Sequence, residues 1–183
     1  MTSFLFNLRN TAPAIAMLGL TCGFWNVHAQ DENRGYRIHV GDPAPAFELT
    51  DLSGNTWSNT SLEGSVYILQ FTASWCSVCR KEMPHLEERV WQRFKDSGVQ
   101  LLGVDLDEPA PKVQGLVDGT GVTYPVCLDP GGALFKAVTV PKAGVTRNVV
   151  VDRQGNIAFL TRLFDEAEFE AMISAIEALV KAE

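Results

Sequence analysis

Two cysteines three residues apart, Cys76 and Cys79, stand where an apolar run gives way to an amphipathic stretch. This position predicts a dithiol at a strand-to-helix junction. The first cysteine can lie at the helix N-terminus, where unpaired backbone N–H groups and the helix dipole favour its thiolate. The second lies nearly one turn further along, close enough to attack a mixed disulfide formed by the first. The spacing therefore indicates thiol-disulfide exchange, with Cys76 as nucleophile and Cys79 as resolving thiol.

The elements on either side of the pair follow from the pattern of apolar residues. Residues 66–71 are β-branched and aromatic enough to predict a buried strand, and residues 72–75 form the loop after it. The amphipathic stretch then predicts a helix that ends at Gly98 as its C-cap. Its apolar side chains recur every three or four residues, at Met83, Leu86, Val90 and Phe94.

Strands and helices alternate along the rest of the chain, which favours an α/β domain with parallel strands in its sheet. Two hairpins, each with Asp, Gly and Asn in its turn, make this central sheet mixed. The predicted strands are 47–50, 56–58, 99–106, 126–128, 148–151 and 157–160, and the predicted helices are 112–117, 131–138 and a last one after Asp165. Asp165 and Glu168 have the spacing of a capping box at the start of that last helix.

Residues 1–29 have the features of a signal peptide. They contain one arginine and no acidic residue, then an apolar stretch shorter than the roughly 20 residues of a membrane span. We expect cleavage after Ala29, then a flexible lead-in over residues 30–40 and one folded domain over residues 41–183. The alternative is a lipid anchor at Cys22; in both cases the domain is exported, and we expect it in the periplasm.

The charge and the cysteine count restrict the partners and the compartment. The formal net charge is −7 for the whole chain and becomes −8 when the signal peptide is removed. An acidic domain without a basic cluster is repelled by phosphate, so nucleic acid is excluded as a partner. Three cysteines remain after cleavage, an odd number, which indicates a redox pair plus one spare thiol in an oxidising compartment. The spare thiol, Cys127, lies in an apolar strand and is predicted to be a buried core residue.

Other uses of the cysteine pair are weaker alternatives. A static disulfide is one, although a loop this small constrains little unfolded-state entropy. A zinc site is disfavoured because no second Cys-x-x-Cys is present, and covalent haem because Arg80 follows where a histidine is needed. We expect His39 and His85 at the surface, so a metal-chaperone module is also disfavoured. We therefore expect no metal and no cofactor.

Three segments together resemble the TlpA-like (ResA-like) thiol-disulfide oxidoreductases, in the redoxin branch of the thioredoxin superfamily. They are residues 66–71, residues 73–84 with the sequence ASWCSVCRKEMP, and residues 149–155. The resemblance covers most of residues 41–181. It implies a thioredoxin fold, a mixed central sheet flanked by helices, for the domain over residues 41–183. Residues 41–58 are similar to the family's N-terminal β-hairpin extension, and residues 104–125 to its helix-strand insertion.

The resemblance also implies an activity and a proton-transfer residue. Members of the family are exported or membrane-tethered enzymes that reduce protein disulfides with electrons from a membrane-bound donor. Glu82, three residues after Cys79, occupies the place of a functional glutamate in related reductases. A carboxyl group there could be desolvated, have a raised pKa and relay protons to or from the thiols; the alternative is a solvated glutamate on the helix surface. Pro84 matches the family's proline that bends this helix.

Two further positions are marked for contact with the substrate, Trp75 and Thr146. Trp75 precedes the nucleophile, where its ring can offer a flat apolar surface to a partner peptide, although a core aromatic is the alternative. Thr146 stands six residues before Asp152, where the family carries a cis-proline that faces the dithiol. Since a cis bond to a non-proline residue costs about 2.5 to 4 kcal/mol, we expect a trans bond with Thr146 facing the cysteines. Pro141 is the alternative if the loop is reshaped.

The dipeptide between the cysteines bears on the redox direction. Ser77-Val78 is neutral and lacks the histidine that stabilises the thiolate in strongly oxidising relatives. We therefore expect a reduction potential nearer the reducing end of a range from about −270 to about −120 mV.

A peroxidase of the peroxiredoxin type is the main rival function, because residues 42–47 resemble that group as well. Its catalytic loop has proline seven residues, and threonine or serine three residues, before the reactive cysteine. This chain has Leu69 and Ala73 at those positions. The sequence therefore favours a disulfide reductase over a peroxidase.

Overall fold

A seven-stranded mixed sheet carries the cysteine pair at the carboxyl end of its third strand in the chain. The computed structural model describes residues 34–182. The strands are β1 (Glu48–Asp51), β2 (Thr56–Ser58), β3 (Tyr67–Thr72), β4 (Gln100–Leu106), β5 (Val126–Asp129), β6 (Arg147–Val151) and β7 (Ile157–Leu160). Their order across the sheet is β2-β1-β5-β4-β3-β6-β7. Both predicted hairpins are present, β1 with β2 and β6 with β7.

The pairing of strands brings several chain segments to the edge of the sheet that carries the cysteines. β3, β4 and β5 run parallel, with Thr72 beside Asp105 and Asp105 beside Leu128. The carboxyl ends of parallel strands meet at one edge, where ligands bind in open α/β sheets. β6 runs antiparallel to β3 and begins at this edge, with Arg147 opposite Phe71. The loop before β6 therefore lies close to the cysteines.

Helices cover both faces of the sheet. They are α1 (Ser77–Leu86), α2 (Gln92–Phe94), α3 (Ala110–Thr120), α4 (Ala133–Val138) and α5 (Glu166–Lys181). Side chains of α1, α3 and α5 share one apolar cluster with Ile68 of β3, while α4 shares the opposite cluster with Phe71. The two residues of β3 lie three positions apart and therefore point to opposite faces. α3 is longer than predicted because Pro111 is tolerated in a first helical turn, and Gly121 ends the helix in the left-handed conformation.

The helical run that starts at the cysteines is continuous to Ser97 but changes its hydrogen-bond spacing. α1 is followed by a π-helical turn (Glu87–Trp91), then α2, then a 3₁₀ turn (Lys95–Ser97). Pro84 lies inside α1, has no backbone N–H to donate, and precedes the change of spacing by three residues. Gly98 ends the run with a φ of 81°, as predicted for the C-cap.

The last helix begins at Asp165, but only half of the predicted capping box forms. Asp165 Oδ1 accepts a hydrogen bond from the Glu168 backbone N–H at 3.0 Å, as an N-cap does. The Glu168 carboxylate does not return to Asp165; it forms an ion pair with Arg34 and accepts the Arg162 backbone N–H. The guanidinium of Arg34 binds both oxygens of this carboxylate and carries a full positive charge, so it is a stronger partner than the single uncharged backbone N–H of Asp165.

Residues 34–40 pack against the domain, whereas a flexible lead-in was predicted for this stretch. Ile38 is buried, and the ring centroid of Tyr36 lies 4.4 Å from the guanidinium carbon of Arg147. Arg147 Nη1 also donates a hydrogen bond to the Arg34 carbonyl at 2.8 Å. The burial of Ile38 and the packing of the half-buried Tyr36 on the Arg147 guanidinium hold this segment beside the start of β6.

The described residues form one compact unit that begins before the predicted domain start at residue 41. Within residues 34–182, no helix combines the length and the apolar character that crossing a membrane requires. The predicted signal peptide over residues 1–29, its alternative lipid anchor at Cys22 and the first residues of the lead-in lie outside the described part of the chain.

Candidate active site

The cysteine pair lies at the start of α1 as a disulfide. Cys76 is the N-cap residue, with φ −82° and ψ 105°, and its Sγ accepts the Cys79 backbone N–H at 3.1 Å. The two Cα atoms are 5.3 Å apart. Cys76 is 8% exposed and Cys79 is 0% exposed. Cys76 is therefore the less deeply buried of the two cysteines, and it lies among the N–H groups of a helix start.

Thr146 faces the cysteine pair from the loop before β6. Its Oγ1 lies 3.2 Å from Cys76 Sγ and 3.2 Å from Cys79 Sγ. No cis peptide bond occurs among the described residues, so the Val145–Thr146 bond is trans, as predicted. Pro141, the alternative for this place, lies in an exposed turn. The side chain that meets both sulfurs from this loop therefore carries a hydroxyl group.

Glu82 lies on α1 one turn beyond Cys79 and is only 1% exposed. Its Oε1 accepts a hydrogen bond from Asn148 Nδ2 at 2.7 Å, whereas Oε2 has no partner among residues 34–182. Burial raises the pKa of Glu82 from its ordinary 4.5 to about 8; the Asn148 hydrogen bond opposes this shift and the charge of Glu168 adds to it. A solvated surface glutamate does not describe this residue. At neutral pH its carboxyl group is largely protonated and can exchange a proton.

Two residues of α1 meet two residues of the β6 segment. Cys79 and Glu82 are three apart on a helix, while Thr146 and Asn148 are two apart along an extended segment, so each pair lies on one side of its element. Cys79 contacts Thr146, and Glu82 contacts Asn148. These two contacts place the Glu82 carboxyl group on the buried side of the dithiol.

Buried polar atoms continue across the sheet from Glu82. Asn148 of β6 pairs with Gln70 of β3 in the strand register. Asn148 Oδ1 and Gln70 Nε2 each lack a hydrogen-bond partner within the described part of the chain. One is an acceptor and the other a donor, so each can still form a hydrogen bond.

The loop before the cysteines is held by a glutamate that follows β4. Glu108 accepts hydrogen bonds from the Ser74 backbone N–H at 2.5 Å and from the Ser74 hydroxyl at 2.7 Å. Asp105, on β4, is buried, and burial together with the charge of Glu108 raises its pKa to about 7.

Trp75, the next residue after Ser74, is 63% exposed and is not a core aromatic.

Sequence reasoning missed Asn148, Asp105 and Glu108. Asp105 interrupts an apolar run in β4, and Asn148 directly precedes the three valines of β6; a polar residue in or next to such a run is a signal for a buried polar contact. Glu108 follows the carboxyl end of β4, which runs parallel to β3. The carboxyl ends of the two strands lie at the same edge of the sheet, and this placement could have indicated that Glu108 is close to the active-site loop.

Cys127 on β5 is a free thiol and is fully buried. Burial raises the pKa of this thiol to about 12, and the charge of Asp51 adds to the shift. Such a thiol is inert at neutral pH. In residues 34–182, no group of three or more His, Cys, Asp or Glu side chains is arranged to hold a metal ion.

Known proteins with similar sequences act on thiols and disulfides. The model of the AhpC/TSA family matches residues 40–160. The thiol-disulfide oxidoreductase ResA of Bacillus thuringiensis subsp. konkukian is 30% identical over 121 residues, which are 66% of this chain and 68% of the relative. The ResA protein of Halalkalibacterium halodurans is 29% identical over 178 residues, which are 97% of this chain and 96% of the relative.

A solved structure is similar over most of the domain. The solution structure of a candidate protein disulfide isomerase from Bacteroides thetaiotaomicron superimposes with a TM-score of 0.77 and is 47% identical in sequence. The match covers 80% of this chain and 93% of that protein.

Proposed function

This chain belongs to the AhpC/TSA family and is a thiol-disulfide oxidoreductase of the ResA-like kind with a thioredoxin fold, and we propose that it reduces protein disulfides outside the cytoplasm. The observation that supports the proposal is the asymmetry of the dithiol. Cys76 is partly accessible at the helix N-terminus, whereas Cys79 is completely buried behind it. Two-step exchange needs a nucleophile that a partner can reach and a second thiol close enough to attack the mixed disulfide, and the deeper burial of Cys79 assigns the first role to Cys76.

The proposed reaction moves two electrons from the dithiol to the partner. The Cys76 thiolate attacks one sulfur of the partner disulfide; a bond from Cys76 Sγ to that sulfur forms, and the other partner sulfur leaves as a thiolate. Cys79 then loses its proton and attacks Cys76 Sγ. The intramolecular disulfide forms and the second partner sulfur leaves as a thiolate. The two partner thiolates take up two protons, one that Cys79 released and one from the solvent.

Glu82, in its ionised form, is the proposed acceptor of the Cys79 proton. A pKa of about 8 leaves a minor ionised fraction at neutral pH, and this fraction grows as pH rises. The two residues lie one helical turn apart on the buried side of the dithiol, where water has little access. A group with a pKa of about 8 is well matched to proton exchange with a thiol near neutral pH. Asn148 orients the carboxyl group through its hydrogen bond to Oε1.

Export leaves the enzyme dependent on an outside source of electrons. The signal peptide predicted over residues 1–29 would deliver it to the periplasm, away from cytoplasmic reductants. Each catalytic cycle ends with an oxidised pair, so the proposed partner is a membrane-bound dithiol donor that returns two electrons. A lipid at Cys22 would hold the enzyme on the same membrane.

Reduction of insulin with dithiothreitol as the electron source tests the reductase proposal. We expect precipitation of the insulin B chain to begin much earlier with the enzyme than without it. The rival activity is measured in parallel as consumption of hydrogen peroxide. Rapid thiol-dependent consumption of peroxide without reduction of insulin would assign this chain to the peroxidases instead.

Trp75 is the proposed contact for the polypeptide part of the substrate. Its exposed indole adjoins the nucleophile and offers an apolar surface to a peptide. In Trp75→Ala, kcat/KM for insulin should fall about tenfold, as for loss of an interface aromatic, while stability changes by less than about 0.5 kcal/mol. The control substrate is a small aromatic disulfide, 5,5′-dithiobis(2-nitrobenzoate). An equal loss with both substrates would contradict a role in peptide recognition.

A further inference from the structure

Thr146 is placed so that one hydroxyl group can serve both sulfurs of the dithiol. Its Oγ1 is equally distant from Cys76 Sγ and Cys79 Sγ, at 3.2 Å, and the side chain is 3% exposed. A hydroxyl has one proton to donate and two lone pairs that accept. In the reduced enzyme it can therefore donate to one sulfur and accept from the other at the same time.

We propose that Thr146 is a catalytic residue whose hydroxyl donates a hydrogen bond to whichever active-site sulfur carries the negative charge. This inference rests on the proposed exchange reaction. In the resting dithiol, the hydroxyl donates to the Cys76 thiolate and accepts the Cys79 S–H. Once Cys76 is bonded to a partner and Cys79 has lost its proton, the same hydroxyl rotates and donates to the Cys79 thiolate. No bond to Thr146 forms or breaks.

The hydroxyl completes a set of donors around Cys76. Its Sγ already accepts the Cys79 backbone N–H, at 3.1 Å. A second donor from the opposite side stabilises the thiolate further, because a hydrogen bond to a charged acceptor is roughly twice as strong as a neutral one. A proline at this position would leave that side of the dithiol without a donor.

The loop around Thr146 is fixed, so the hydroxyl keeps its place between the sulfurs. The Thr146 carbonyl accepts the Leu163 backbone N–H at 3.0 Å. The next residue, Arg147, is buried, and its Nε donates to the Gly144 carbonyl at 2.9 Å. The buried charged groups of the two elements that carry these side chains are Arg147, beside Thr146, and Glu82, beyond Cys79. Arg80 and Lys81 of α1 are exposed. All four residues are unchanged in the variants below.

The rate of alkylation of the reduced full-length enzyme, measured against pH with iodoacetamide, tests this inference. Mass spectrometry assigns the label to Cys76. In Thr146→Val, which removes the hydroxyl with little change of shape, we expect the rate of Cys76 alkylation at pH 6 to fall about tenfold and the midpoint of the profile to move up. Thr146→Ser should keep the wild-type profile, because it keeps the hydroxyl.

A second measurement separates a lost hydrogen bond from a damaged fold. Stabilisation of the thiolate favours the reduced form, so the equilibrium of Thr146→Val with glutathione should shift about tenfold towards the disulfide. Thr146→Ala serves in the same two assays if the valine variant fails to fold. A pH profile and a glutathione equilibrium like those of the wild type in both variants would overturn the inference. Failure of the wild type to reduce insulin would instead remove the proposed reductase function and leave these comparisons valid.

Discussion

A Cys79→Ser variant should accumulate as a covalent complex with its partner proteins, linked through Cys76. The Cys76 thiolate can still attack a partner disulfide, but a serine hydroxyl is not a nucleophile at neutral pH and cannot resolve the product. Turnover with insulin should fall at least about a hundredfold, to the uncatalysed background, since resolution is obligatory in every cycle. The complexes are measured by acid quenching, non-reducing electrophoresis and mass spectrometry of the linked peptides.

The matched control is the double variant Cys76→Ser with Cys79→Ser. It keeps the buried thiol of Cys127 and should trap nothing, because that thiol is inaccessible and protonated. The same set of complexes in single and double variants would show that the exchange does not depend on Cys76. Recovery of no complex from the single variant, with an active wild type, would contradict the two-step mechanism.

The free energy of unfolding should decrease between about pH 4.5 and pH 8 because of Glu82. Its pKa is 4.5 in an ordinary environment and about 8 in the fold, so over this interval the folded chain holds a proton that the unfolded chain has released. Protons stabilise the state that binds them, and stability is therefore lost as pH rises. A shift of this size corresponds to roughly 5 kcal/mol as an upper bound, at 1.36 kcal/mol for each pKa unit.

Glu82→Gln should remove the Glu82 part of that dependence, because the amide has the shape of the protonated carboxyl group and does not titrate; Asp105 supplies a further part. We expect urea unfolding of the variant to give a flatter profile from pH 5 to pH 8, and a clear gain of stability over the wild type at pH 8. Asp105→Asn is the control. Its carboxyl group shifts in the same direction, to a pKa of about 7, so that variant should keep the larger part of the slope. A wild-type slope in Glu82→Gln would show that Glu82 is not buried as a neutral acid.

The same substitution separates the proton-transfer role from a structural one. Loss of a positioned proton acceptor should lower kcat for insulin by about a hundredfold. The first step, attack by Cys76, needs no such acceptor. Formation of the mixed disulfide in a stopped reaction should therefore stay close to the wild-type rate.

The junction that carries the dithiol could be predicted because its signals are local. The composition of residues 66–71 predicts a strand, and the left-handed conformation open to Gly98 predicts the end of the helix. The three-residue spacing of Cys76 and Cys79 places both sulfurs at the first turn of the helix. Each of these signals lies within a few residues of the feature it predicts. The turns of the two hairpins are local signals too, and they predicted the mixed sheet. The family resemblance added the N-terminal extension and the helix-strand insertion.

The surroundings of Glu82 could not be predicted, because they come from distant parts of the chain. Asn148, which holds the carboxyl group, is 66 positions away in sequence, and the charge of Glu168 comes from the last helix. Helical position alone cannot distinguish a buried glutamate from a solvated one. The lead-in differs from its prediction for the same reason, since Arg34 and Tyr36 bind Arg147, more than a hundred positions away.

Cys127 gives this enzyme an internal probe of how often its sheet opens. When Cys76 and Cys79 form their disulfide, Cys127 is the one free thiol among residues 34–182. It lies fully buried on β5, between β1 and β4. A thiol reagent can reach it only in molecules whose sheet has transiently separated, so the slow labelling rate reports the opening equilibrium as amide exchange does. The burial that makes the thiol a probe also keeps Cys127 from forming a disulfide with a cysteine of the reactive pair.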